Sequence, residues 1–119
     1  MRAKLLAGLT ACIIGLPASA HHSVAMFDDQ KNMTLEGSVR EFQWTNPHTW
    51  VQLIVTDPSG KSVEWSIEGG SPNVLARRGW TRVSLKPGDR ATIVIHPLKD
   101  GSAGGSLVSV MVNGLTLGR

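Results

Sequence analysis

From Met33 onward the apolar residues alternate with polar ones in five short runs, the signature of half-buried strands. In MTLEGSVREFQW, Leu35 and Val39 share one phase, and Phe42 and Trp44 share the other. That slip of one residue predicts a β-bulge near Arg40 and Glu41. Gly37 within the run predicts a sharp coil or a close backbone approach. TNPH breaks the alternation, because proline cannot donate to a ladder and restrains the residue before it. TWVQLIVT then sets Val51, Leu53 and Val55 on one face. SVEWSIE sets Val63, Trp65 and Ile67 against Glu64, Ser66 and Glu68. RATIVIH aligns Ala91, Ile93 and Ile95, and SLVSVMV aligns Val108, Val110 and Val112. KDGSAGG reads as a mobile loop, and NGLTLGR as a turn at Asn113-Gly114 followed by chain that trails off.

One segment has a different period. In SPNVLARRGW, Ser71 suits an N-cap and Pro72 the first helical position. Gly79 suits the left-handed position after the helix, from which Trp80 packs back on Leu75; a helix of about two turns is predicted. DPSG and LKPGD read as tight turns. Three strands, a short helix and two strands, with the first strand long and bent, predict an all-β chain with an OB-fold-like, five-stranded Greek-key barrel. A small β-sandwich is the alternative.

The start of the chain has a pattern of its own. Met-Arg-Ala-Lys precedes the uncharged run LLAGLTACIIGL, and PASA closes it. A basic start, a short apolar core and a small-x-small end describe a secretory signal peptide over residues 1–20. The run falls short of the roughly 20 apolar residues of a spanning helix, so no transmembrane segment is expected after cleavage. Cleavage after Ala20 makes His21 the mature N-terminus of a periplasmic or secreted protein. LTAC also resembles a lipoprotein site at Cys12. Residues 21–32 then read as an arm and 33–119 as a single domain. Without the leader's Arg2 and Lys4, the twelve basic residues become ten against nine acidic, a net +1, which removes the case for a nucleic-acid partner. Cys12 is the only cysteine. Its loss with the leader excludes a disulfide, a thiolate metal site and cysteine catalysis in the mature chain.

Few residues carry candidate chemistry. A free α-amine on His21, with its ring nitrogen, chelates one metal ion, and a third nitrogen from His22 or His48 completes a near-planar set suited to Cu(II). Zn(II) would want a tetrahedral set, for which His21, His22 and His48 with water suffice. An arm of about a dozen residues reaches up to roughly 40 Å, so His48 is within range. Met26 and Met33 offer soft thioethers but more often fill cores. His96 reads as a surface residue. Trp44, Asn46, Pro47 and Trp50 flank the NPH turn and form a candidate ligand or partner surface. Trp65 and Trp80 read as core. Glu64 and Glu68 lie roughly 13 Å apart by strand rise, too far for a glycosidase pair. Arg77-Arg78 points weakly to an anionic partner and more often marks a solvated helix end. No nucleophile elbow, phosphate loop, HExxH or paired-cysteine motif occurs, so no catalytic residue is assigned.

HHSVAMFD, EGSVREFQWTNPHTW, EWSIEGGSPNVLARRGW and LKPGD together resemble the exported bacterial family called domain of unknown function 6152. The motif falls on His21, His22, Ser23, Met26, Phe27, Asn46, Pro47, His48, Trp50, Ser71, Pro72, Gly79 and Trp80. The resemblance implies a small exported β-barrel and no particular reaction. Three functions stand open. One is a metal-free module gripping an envelope protein or small ligand near Trp44, Pro47 and Trp50. Another is a binding protein for Cu(II), or Zn(II), at His21. The most remote is a copper-dependent oxygenase using the same nitrogens.

Overall fold

The structure is a computed structural model that describes residues 24–119; the expected leader with Cys12, and His21, His22 and Ser23, lie outside the described residues. A 3-10 turn at Val24–Met26 leads into β1 (Met33–Gln43), β2 (Trp50–Thr56) and β3 (Ser62–Glu68). Then come α1 (Pro72–Ala76), β4 (Arg90–Pro97), β5 (Gly104–Val112) and β6 (Leu115–Gly118). The sheet order is β3-β2-β1-β4-β5-β6, and a parallel β3–β5 pairing closes the first five strands into a barrel. A closed barrel with its helix between β3 and β4 is OB-fold-like, as predicted, and the sandwich alternative falls away.

The bent first strand is built as its sequence requires. The β1–β2 register shifts between Val39 and Glu41, leaving Arg40 as the extra residue. A Cβ at Gly37 would overlap the Ile54 carbonyl oxygen and crowd Leu53 Cγ at 3.1 Å, so the neighbouring strand can approach only a glycine there. After the bulge, Phe42 turns to the side of Val51 and packs against the core. The barrel interior takes Leu35, Val39, Val51, Leu53, Ile67, Ala91, Ile93, Ile95, Leu107, Val110 and Val112, all buried. Each fully buried Leu, Ile or Val contributes about 1.5–3 kcal/mol.

Three strand readings need correction. A second bulge lies opposite Val94 and Ile95, whose partners are Ser109 and Leu107. Val108 is therefore the extra residue, and Leu107 takes the inward place expected of it. Val63 is exposed, because the start of β3 pairs only with β2. Glu68 belongs to the face expected to meet solvent, yet it is buried.

α1 contributes Leu75, and the chain just after its cap contributes Trp80, to the buried core. Ser71 Oγ accepts the Val74 N–H, and Pro72 opens the helix. The Gly79 N–H reaches Ala76 O, and the Trp80 N–H reaches Leu75 O at 3.1 Å, with Gly79 at φ +89°. These two bonds are the Schellman pattern predicted for Gly79. The helix proper spans five residues, shorter than expected, because the cap consumes the rest. Trp80 is 2 % exposed, and its indole N–H donates to Gly118 O at 2.8 Å. That bond anchors a strand the sequence reading left as a tail. Asn113 and Gly114, both with positive φ, form a two-residue turn, and Leu115–Gly118 returns along β5.

The arm also docks. Phe27 bridges to Leu98, the Asp28 N–H donates to Pro97 O, and the Lys99 N–H donates to Met26 O. His96, half-buried, donates from Nδ1 to Lys31 O at 2.9 Å. No helix among the described residues is long and apolar enough to cross a membrane.

Candidate functional site: a cleft beside His48

The loop between β1 and β2 is stitched to the residues that follow β3. Thr45 Oγ1 donates to His48 O, and the buried Thr49 donates to Gly70 O from both its N–H and its hydroxyl. The Gly69 N–H donates back to Thr49 O. Only glycine fits at position 69, since a Cβ there would overlap Thr49 Oγ1. These bonds set the place of His48 at the loop's end.

The His48 ring is held at both nitrogens. Nδ1 donates to Gly69 O at 3.2 Å, and Nε2 lies 3.3 Å from Glu68 Oε1. A carbonyl oxygen only accepts, so Nδ1 carries the hydrogen. Nε2 then presents either a lone pair or, on the imidazolium, a second donor toward the carboxylate. The imidazole side chain is 48 % exposed and the Glu68 side chain 10 %. Glu68 therefore forms the floor and His48 the rim.

Glu68 is covered because the outer face of β2 and β3 is not open here. Trp50 pairs with Glu68 across the strands, so both stand on that face. The arm, through Met26 and Phe27, and the β4–β5 connection, through Leu98 and Ala103, lie over it. The result is a cleft of two adjoining lobes sharing Phe27 and Glu68. The larger, about 400 Å³, is lined by His48, Gly69, Gly70, Val74, Arg78, Ser106, Leu107 and Arg119. The smaller, about 160 Å³, is lined by Met26, Trp50, Ser66, Leu98, Ala103, Gly104 and Gly105. Strands β2 and β3 with the β1–β2 and β4–β5 connections are where OB-folds commonly bind ligands.

The β4–β5 connection is ordered by its own turn chemistry. Asp100 Oδ1 accepts from the Ser102 hydroxyl and N–H. These bonds, the hydroxyl first, hold the Asp100 carboxyl below the usual carboxylate range. Gly104 and Gly105, assigned to a mobile loop from sequence, instead open β5 and close the barrel against β3.

The structure separates the sequence candidates. Trp50 lines the apolar lobe. Trp44 stands edge-on to Phe42, ring centroids 5.8 Å apart, and packs against the core. Asn46 and Pro47, joined by a cis peptide, are exposed at the loop tip. Met26 and Met33 are exposed rather than core filler, and only Met26 lines the cleft. Glu64 pairs with Arg40 at the far end of β3 from Glu68. Among the described residues, no group of three or more His, Cys, Asp or Glu is placed to hold a metal ion. Sequence reasoning set Glu68 aside as too far from Glu64, did not single out Arg119 and gave Arg78 little weight. Only the Arg77-Arg78 pair left a readable trace.

The fold and cleft thus define a small OB-fold-like barrel with a ligand-sized recess on its outer face. The chain belongs to the family of unknown function DUF6152, whose sequence profile matches residues 10–108. Comparison with curated proteins and with solved structures gives no match.

Proposed function

We propose that this protein is an exported binding module of the cell envelope, cleaved after Ala20, whose working site is the cleft beside His48. In its metal-binding form the ligands are the His21 amine and ring, His48 Nε2 and the Glu68 carboxylate, with Cu(II) preferred over Zn(II). The observation that carries this reading is the orientation of His48. A backbone carbonyl bonded to one ring nitrogen is the usual device that turns the other toward a metal. Two donors bonded to one ion at a right angle lie about 3 Å apart, and His48 Nε2 and Glu68 Oε1 are 3.3 Å apart. The arm adds support, because Phe27 lines the same cleft. Phe27 lies six positions after His21, a span of at most about 20 Å.

A metal-free module is favoured by a different observation, the apolar lobe between Trp50, Phe27 and Leu98, which suits a small ligand or a partner side chain. The oxygenase reading gains nothing, since Trp44 is engaged with Phe42 and does not line the cleft.

The test is a Cu(II) titration of protein verified by mass to begin at His21, beside a version with one alanine added before it. Tight binding weakened at least about tenfold (about 1.4 kcal/mol) by the added alanine supports the metal site. His48→Ala and Glu68→Gln then weaken it as well. Equal, weak binding by both versions removes the metal and leaves the metal-free module.

A further inference from the structure

We propose that the cleft binds a small amphiphilic monoanion, with its carboxylate between Arg78 and Arg119 and its apolar body over Phe27 in the lobe beside Trp50. This goes beyond the copper reading and needs no residue before Met26.

Charge is the first support. Arg78 and Arg119 both line the larger lobe, and among the described residues neither side chain has an ion-pair or hydrogen-bond partner. The one acid lining the cleft, Glu68, is already matched with His48. Among the side chains lining the cleft, two arginines against one carboxylate leave at least one excess positive charge, whichever protonation state His48 adopts. A single carboxylate neutralises it and suits the guanidinium fork. A multiply charged ligand would meet Glu68, which borders both lobes.

Shape and polarity are the second support. Val74 and Leu107 give the charged lobe an apolar wall, and beyond Phe27 the smaller lobe is walled by Met26, Trp50 and Leu98. A polar end and an apolar end are thus joined in one recess. The larger lobe, about 400 Å³, already falls in the range of small-molecule sites. The size and the enclosed floor favour a free small molecule over a lipid in a bilayer.

The experiment is isothermal titration calorimetry of the His21-started protein in EDTA, with hexanoate, octanoate, decanoate and the uncharged decanol. Decanoate is expected to bind, with affinity rising about fourfold per methylene along the series until the lobe fills. Decanol is expected to bind at least about tenfold more weakly than decanoate. Arg78→Gln and Arg119→Gln, checked for native folding by circular dichroism, are each expected to cost about tenfold for decanoate. Their effect on decanol should be negligible, and Arg78→Lys should recover part of the loss. The proposal is overturned if unaltered protein binds decanoate and decanol equally, or binds neither. It is equally overturned if both glutamine variants retain full affinity, or if the protein binds phosphatidylglycerol vesicles without competition from decanoate. EDTA keeps this outcome separate from the copper reading, whose own test is dependence on the free N-terminus.

Discussion

Replacing Trp80 by phenylalanine tests how the sixth strand and one wall of the cleft are held. The indole is buried and donates to Gly118 O at 2.8 Å, and its ring centroid lies 5.9 Å from that of Phe42. Phenylalanine keeps an aromatic ring beside Phe42 but loses the donor and part of the volume. The hydrogen bond is worth about 1 kcal/mol, at the modest end because the exposed Gly118 lets water reach its carbonyl. The missing ring atoms cost about 1–2 kcal/mol more. A loss of about 2–3 kcal/mol lowers the Tm of a domain this size by roughly 10–20 °C. Urea denaturation followed by circular dichroism should show a lower midpoint with an unchanged m-value. Hydrogen exchange at Leu115–Gly118 should accelerate more than at β2, because the lost bond ties β6 to the helix cap. Arg119 follows β6 directly, so decanoate binding should weaken in step. Trp65→Phe, at a half-buried site with no such bond, should cost under about 1 kcal/mol. A Trp80→Phe protein within about 0.5 kcal/mol of the unaltered one would refute the argument. So would a loss no larger than that of Trp65→Phe.

Gly37→Ala places a Cβ against the Ile54 carbonyl in a strand paired on both sides, so neither neighbour can give way. A cost of about 1–3 kcal/mol is expected in urea denaturation, and an unchanged midpoint would show that the close approach is not needed. Asp57 accepts from the Ser59 hydroxyl and the Ser59 and Lys61 N–H groups, and its carboxyl is held below the ordinary range, the hydroxyl bond being the largest cause. A carboxyl depressed in the folded state contributes stability above its unfolded pKa and loses it as pH falls through the folded pKa. Asp57→Asn should therefore flatten the acid limb of stability against pH while leaving its shape above neutral pH unchanged; an acid limb identical to the unaltered protein's would count against the turn's role.

The fold was legible where local chemistry and tertiary packing agree. The slip between Val39 and Phe42 located the bulge at Arg40 because side-chain period and ladder register are the same fact seen twice. Ser71, Pro72 and Gly79 marked both ends of the helix because capping is satisfied within a few residues of chain. The readings that failed depend on distant partners. Val108 and Leu107 are both apolar, and only the pairing with β4 decides which turns inward. β6 is four residues long with Leu117 alone buried, too little alternation to register, and its anchor is an indole 38 residues away.

The site was legible by half for the same reason. His48 stands out because NPH interrupts two strands, and Trp50 because it opens the next one. Glu68 carries no local sign of its burial. It occupies the polar phase of SVEWSIE, and that phase does face outward, as the Trp50–Glu68 pairing shows. What sequence periodicity cannot express is that the outward face is itself covered at one end by the arm and the β4–β5 connection. The same covering turns Met26 and Phe27 from tether into wall. It also replaces a loose arm of about a dozen residues with a six-residue lead from His21 to Phe27. A dozen residues permit His21 to meet His48 almost anywhere, whereas six residues reach at most about 20 Å and start from the cleft itself. The chance of meeting rises as the tether shortens, because effective concentration falls with its length. On the proposed cleavage after Ala20, His21 and the cleft thus become two parts of one question, and the alanine-extended chain, which alters the amine and leaves the cleft intact, is the variant that separates them.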